Sequence, residues 1–125
     1  MADELVTIES KGKVAVARVQ RTPRLDQANT DDFGKALMAY LEANPGAHLL
    51  VSLEGIAFIT SSVLSELIQA MRFAAKDGGS VRVCALTDYV ASVFEVTHLD
   101  KAFKVGGAVD EALAAYHEDL EAVVA

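Results

Sequence analysis

Thr60, Ser61 and Ser62 run consecutively inside the stretch "AFITSSVLSEL", Ala57 to Leu67, and raise first the question of nucleophilic chemistry. A catalytic serine needs a base and an orienting acid. The three histidines, His48, His98 and His117, are scattered along the chain without a His-x-x-x-His pair, and most Asp and Glu residues fall on faces that read as solvated helix. That spacing offers no metal-ligand pattern, and sequence alone does not place His98 or His48 beside Ser61. No GxGxxG, GxxxxGK[ST] or GxSxG motif occurs, and Gly78-Gly79 follows a helical pattern instead of preceding one, so it reads as a helix stop and not a phosphate cradle. No catalytic residue and no metal site is assigned. Cys84, the one cysteine, sits in the apolar run "VRVCAL" and reads as a buried thiol of a reducing compartment.

Two roles remain for the hydroxyls. Ser and Thr are favoured at helix N-caps, where a side-chain oxygen accepts from an orphan backbone N–H and is worth about 1 kcal/mol. One cap explains one hydroxyl, and no capping box is formed, because Ser65 stands three positions after Ser62. The other role is modification. A phosphate at a helix N-terminus carries about −1.5 to −2 charges toward free N–H groups and the positive end of the helix dipole, so the fold tolerates it while the surface changes. Ser61 would then be a binding switch.

The elements that position these residues follow from periodicity. "ELVTIES" and "KVAVARVQ", separated by Lys11-Gly12, read as a hairpin. Phe33, Ala36, Leu37, Tyr40 and Leu41 share one face of a helix over Thr30 to Ala43, with Asn29 or Thr30 as cap and Asn44-Pro45-Gly46 as the stop. "AHLLVSL" is a buried strand. From Ser62, apolar residues recur at Val63, Leu64, Leu67, Ile68, Met71, Ala74 and Ala75, which is helical spacing. "SVRVCALT" reads as a strand, "DYVASVFEVTH" as a helix capped by Asp88, "AFKV" as a short strand and "AVDEALAAYHEDLEAVV" as a closing helix. Strands alternating with such helices predict an α/β fold, a mostly parallel sheet with an N-terminal hairpin and about four helices.

A length of 125 residues, 52% hydrophobic and 23% charged, predicts one globular domain over 1–125. Eighteen acidic against eleven basic residues leave a net charge of −7, which disfavours nucleic acid and anionic membrane surfaces as partners. The N-terminus lacks the basic start and apolar core of a signal peptide, and no apolar run approaches the roughly 18 residues of a membrane span, so a cytoplasmic location without membrane insertion is expected.

With these residues in place, "EGIAFITSSVLSEL", "KDGGSVRVCALTDYVASVFEVTHLDKAFKV" and "VDEALAAY" together resemble the STAS domain, particularly the bacterial anti-sigma factor antagonists. The likeness runs from about Leu5 to Tyr116. The family's Asp-Ser-Ser-Gly-Leu-Gly pattern lays its phosphorylated serine on Ser61 and the next serine on Ser62, and the family's Leu-Asp acid on Asp26. Thr60 stands in place of the pattern's Asp, and Val63 and Ser65 in place of its glycines.

The resemblance implies a non-catalytic regulator. Unphosphorylated, it would bind an anti-sigma factor of the GHKL serine kinase type through Asp26, Thr60, Ser61, Ser62, Val63 and Ser65. Phosphorylated on Ser61, it would let go, and a metal-dependent Ser/Thr phosphatase would reset it. ATP and metal would belong to those partners, and the chain would need no cofactor of its own. The departures at Thr60, Val63 and Ser65 keep a second reading open: a constitutive scaffold or interaction subunit of a signalling or lipid-transport complex, without phosphorylation control.

Overall fold

Alternation along the strands divides the core into two layers. A computed structural model describes residues 5–19 and 23–124, the side chains of 123 and 124 excepted. Strands β1 (Val6–Lys11) and β2 (Val14–Val19) form the antiparallel hairpin; Glu4 and Gln20, the outer ends of the expected strands, lie outside the described residues. After the short β3 (Arg24–Leu25) come helix α1 (Thr30–Ala43), β4 (His48–Ser52), β5 (Phe58–Ile59), α2 (Ser61–Ala75), β6 (Ser80–Cys84), α3 (Asp88–Val96), α4 (Leu99–Ala102), β7 (Val105–Gly106) and α5 (Val109–Val124). The main sheet has the order β1-β2-β4-β6-β7, parallel from β2 onward, with Val16 opposite Leu50 and Leu50 opposite Arg82.

Ala15, Ala17, Leu49, Val51, Val81 and Val83 face the side covered by α1, α2 and α3. Their neighbours Val14, Val16, Leu50 and Cys84 face α5. Because side chains alternate across a sheet, the near-continuous apolar runs of β2 and β4 are what two covered faces require. Burial pushes the Cys84 thiol up to about 11, against the opposing pull of its Ser52 hydrogen bond and of Arg18. A thiol in that state is a core atom with little nucleophilic character.

Two local expectations are corrected. The described residues contain five helices, where about four were expected, and the added one, α4, is a single turn entered by His98 in the left-handed conformation, φ 62°. It consumes Ala102 of the expected strand "AFKV", and buried Phe103 then anchors the chain edge-on against Phe94 at 6.2 Å, so only Val105 and Gly106 reach β6. Asp88 is the first residue of α3 and not its cap. Thr87 precedes it, with its Oγ1 donating to the Ile56 carbonyl at 2.7 Å.

A polar chain ties α5 to the sheet. His48 Nδ1 lies 2.9 Å from Ser80 Oγ, which also bonds the buried Tyr116 hydroxyl, while the Arg82 guanidinium stacks on the Tyr116 ring at 4.1 Å and pairs with Asp119 at 2.8 Å. Burial first, and then the Arg82 charge, hold the His48 pKa below its ordinary 6.5, so folding favours the neutral ring. The stability this site contributes is complete above that ordinary value and is lost as pH falls from it through the lower folded pKa. Thermal melts at about pH 7.5 and 5.5 should therefore show a larger loss in the wild type than in His48→Gln; equal losses would assign the acid sensitivity to other groups.

Candidate functional site

The hydroxyl cluster is presented by a ladder too short to show a period. Beyond the carboxyl end of β4 the chain turns, with Ile56 N–H donating to the Leu53 carbonyl at 3.0 Å, and enters β5. There it pairs in parallel with β3, Arg24 opposite Phe58 and Leu25 opposite Ile59, and Thr60 N–H donates to the Leu25 carbonyl at 3.1 Å. Leu25 and Ile59 point into the core and fix the ladder. The next residue on each strand is thereby set side by side: Asp26 on one, Thr60 on the other.

Asp26 is held in a folded-back loop. Its Oδ1 accepts from Ala28 N–H at 3.0 Å, and its own N–H donates to Asn29 Oδ1 at 2.9 Å. Asn29 Nδ2 in turn donates to the Arg24 carbonyl at 3.0 Å. Asn29 precedes α1 in the N-cap position, but its side chain braces this loop instead of capping the helix.

At α2 the expected side-chain cap is absent as well. Thr60, extended at φ −106° and ψ 166°, occupies the N-cap position, and its carbonyl accepts from Val63 and Leu64 N–H at 3.1 and 3.2 Å. Its Oγ1 instead meets Ser62 Oγ at 3.0 Å. Two of the three hydroxyls are thus spent on each other. Ser61, the first residue of α2, is exposed, and among the described residues its Oγ makes no hydrogen bond. Ser65, one helical turn on, is exposed on the same side. Val63 is fully buried among the core residues, so its side chain is not on this face. The first turn of α2 contains no acid, which leaves the positive end of its dipole unopposed by its own side chains.

Sequence reasoning missed a second component. Phe58 stacks on Tyr89 of α3, centroids 5.8 Å apart and planes 13° from parallel, and the Arg24 guanidinium lies 4.2 Å over the Phe58 ring. Arg24 Nε also approaches Asp26 Oδ2 at 3.4 Å. Arg24, Phe58 and Asp26 alternate with buried Leu25 and Ile59, which places them on the outer face with Thr60. Strands of two residues are too short to show a period-2 pattern, so the sequence carried no signal for this face.

Other polar features lie elsewhere. A cleft of about 420 Å³ opens at the amino ends of β2 and β4, lined in part by Lys13, Tyr40, Asn44 and His48, at the opposite end of the sheet from Ser61. His117 Nε2 contacts the Lys11 carbonyl at 2.8 Å. Among the described residues no three His, Cys, Asp or Glu side chains gather as a metal site, and no helix is long and apolar enough to cross a membrane.

The sequence profile of the STAS domain matches residues 6–112, from the first strand through the start of the last helix. The chain belongs to the STAS domain family. Solved structures similar to this STAS domain include an anti-sigma-factor antagonist (STAS) domain protein from Planctomyces limnophilus, 23% identical with a TM-score of 0.82, covering 88% of this chain and 96% of that one. An anti-sigma factor antagonist from Mycobacterium paratuberculosis is 24% identical, with a TM-score of 0.77 over 88% of this chain and 91% of its own. The Bacillus cell fate determinant SpoIIAA in its phosphorylated form is 17% identical, with a TM-score of 0.66 over 89% of this chain and 98% of its own. At these identities the likeness carries the fold.

Proposed function

We propose that this STAS domain is an anti-sigma factor antagonist: a non-catalytic partner that binds an anti-sigma factor of the GHKL serine kinase type and is switched off by phosphorylation of Ser61. One observation carries the reading. Of the three hydroxyls at the start of α2, Ser61 alone is exposed and uncommitted, next in the chain to Thr60, which stands beside Asp26, and at an unopposed helix N-terminus. The similarity to anti-sigma factor antagonists, one of them solved in a phosphorylated form, supports it. Asp26, Thr60, Ser61, Ser62 and Ser65 form the docking face, and Val63 supports it from the core side.

In the switching step Ser61 Oγ attacks the γ-phosphorus of ATP in the kinase. The new P–O bond forms as the bond to ADP breaks, and the hydroxyl proton passes to a base on the kinase. A metal-dependent Ser/Thr phosphatase returns serine and inorganic phosphate by adding water across that bond. Both the ATP and the metal belong to the partners. Incubation with the cognate kinase and ATP, followed by mass spectrometry, should place one phosphate on Ser61 and none on Ser61→Ala. Phosphate on another residue, or on none, overturns the reading; so does a stable partner complex indifferent to ATP, which would make the domain a constitutive interaction module.

A further inference from the structure

We infer that the cleft at the amino ends of β2 and β4 binds a small zwitterion of the amino-acid class, its carboxylate paired with Lys13 and its ammonium group set on the carboxyl end of α1. The cleft lies at the opposite end of the sheet from Ser61, so the inference stands apart from the phosphorylation switch.

At about 420 Å³ the cleft is within the usual size of small-molecule sites. Its lining comes from the hairpin turn, Ser10 and Gly12 to Ala15, and from the end of α1 into β4, Tyr40 and Ala43 to His48. No Asp or Glu is part of that lining, although the chain carries eighteen. Burial favours the neutral ring of His48, which leaves Lys13 as the charged side chain of the cleft. Lys13 is exposed, and among the described residues it makes no ion pair and no hydrogen bond. A cation with no acid beside it selects a carboxylate.

The other wall has the opposite polarity. Helix α1 ends at Ala43 without a basic residue in its last turn. Asn44 Nδ2 takes up the Tyr40 carbonyl at 2.9 Å, but no side chain of the described residues caps the carbonyls of Leu41, Glu42 or Ala43. The last carbonyls of a helix lack intrahelical partners and together carry about half a negative charge, which attracts a cation. Lys13 bonds none of them and so leaves the two polarities apart. A simple anion would meet the helix end and a simple cation would meet Lys13, whereas a zwitterion answers both walls at once. The hydroxyls of Ser10 and Tyr40, which make no hydrogen bond among the described residues, add donors and acceptors for a polar side chain.

The test titrates the isotope-labelled protein with L-serine, followed by amide NMR at constant ionic strength. Saturable shifts are expected at Gly12, Lys13, Gly46 and Ala47, with half-saturation below about 50 mM. 3-Hydroxypropionate, which is serine without its ammonium group, and ethanolamine, which is serine without its carboxylate, should each bind about threefold or more weakly, because each leaves one wall unanswered. Lys13→Gln removes an exposed, unpaired side chain and should melt like wild type; it should weaken serine about twofold to fivefold and leave ethanolamine unchanged. Absence of saturable shifts at these amides overturns the inference and leaves Lys13 as a solvated charge. A half-molecule that binds as tightly as serine, or serine binding indifferent to Lys13→Gln, overturns it as well. None of these results touches the modification of Ser61.

Discussion

Ser61→Asp is expected to weaken binding to the anti-sigma partner at least tenfold, while Ser61→Ala stays within about threefold of wild type, both read by titration calorimetry; tenfold is only about 1.4 kcal/mol. The asymmetry follows from where the side chain sits. The Ser61 hydroxyl has no bond to lose inside the domain, so its removal leaves no unpaired group behind. A carboxylate at the same atom introduces a charge that must be desolvated or opposed when a partner covers it, which costs up to several kcal/mol.

The fold should register the same substitution with the opposite sign. An acid in the first turn of a helix stabilises by about 0.3–1 kcal/mol, and α2 has none of its own. Ser61→Asp should therefore melt at or slightly above wild type even as binding falls. A carboxylate is one charge against about two for phosphate, so the mimic marks the lower bound of the effect. A mimic that binds like wild type would remove Ser61 from the docking face.

Gly79→Ala should destabilise the domain by about 2–3 kcal/mol, the upper part of the usual range for forcing atoms into a packed site, which for a chain of this size is a fall in Tm of roughly 8–15 °C. Helix α2 stops in a Schellman arrangement: Gly78, left-handed at φ +85°, donates to the Ala75 carbonyl at 3.2 Å and Gly79 to the Ala74 carbonyl at 2.9 Å. There the chain passes directly over the turn into β4. A Cβ on Gly79 would strike the Ala47 carbonyl oxygen, which already accepts from Ser80 N–H at 3.1 Å. Backbone on both sides leaves no flexible group to yield.

Gly34 is the informative control. A Cβ there would also collide, but with the Glu66 carboxyl group, the far end of a side chain that can swing out. Gly34 is buried within α1, but only that side chain stands in the way, and alanine is the better helix former by about 1 kcal/mol, so Gly34→Ala should cost less than about 1 kcal/mol. Urea melts of both variants compare the two directly, and a loss at Gly79→Ala no larger than at Gly34→Ala would contradict the close approach.

Long periodic elements were legible in the sequence because burial writes them there. The recurrence from Val63 to Ala75 placed α2 to within a residue, and the apolar run around Leu49 to Val51 announced a strand covered on both faces. Gly78-Gly79 named its own stop. What stayed hidden was set by contacts distant in sequence. Two-residue β3 and β5 carry no period, yet they bring Asp26 beside Thr60. The Thr60–Ser62 bond, which frees Ser61, depends on rotamers that composition cannot express. Helix α4 followed from the anchoring of Phe103, a tertiary contact that overrode the strand-like look of "AFKV". The resemblance to the STAS pattern put Asp26 and Ser61 on one expected functional surface, which periodicity could not.

Within the first turn and a half of α2, the outward-facing residues and those that build the core are different ones. Val63 and Leu64 fill the core, whereas Ser61 and Ser65 face outward from the same backbone. Exchanging the outward pair alters what the domain greets without loosening what holds it together. If the outward pair meets the partner, as proposed, that separation would let the binding preference of this scaffold be changed by editing a few surface positions while its interior is left untouched.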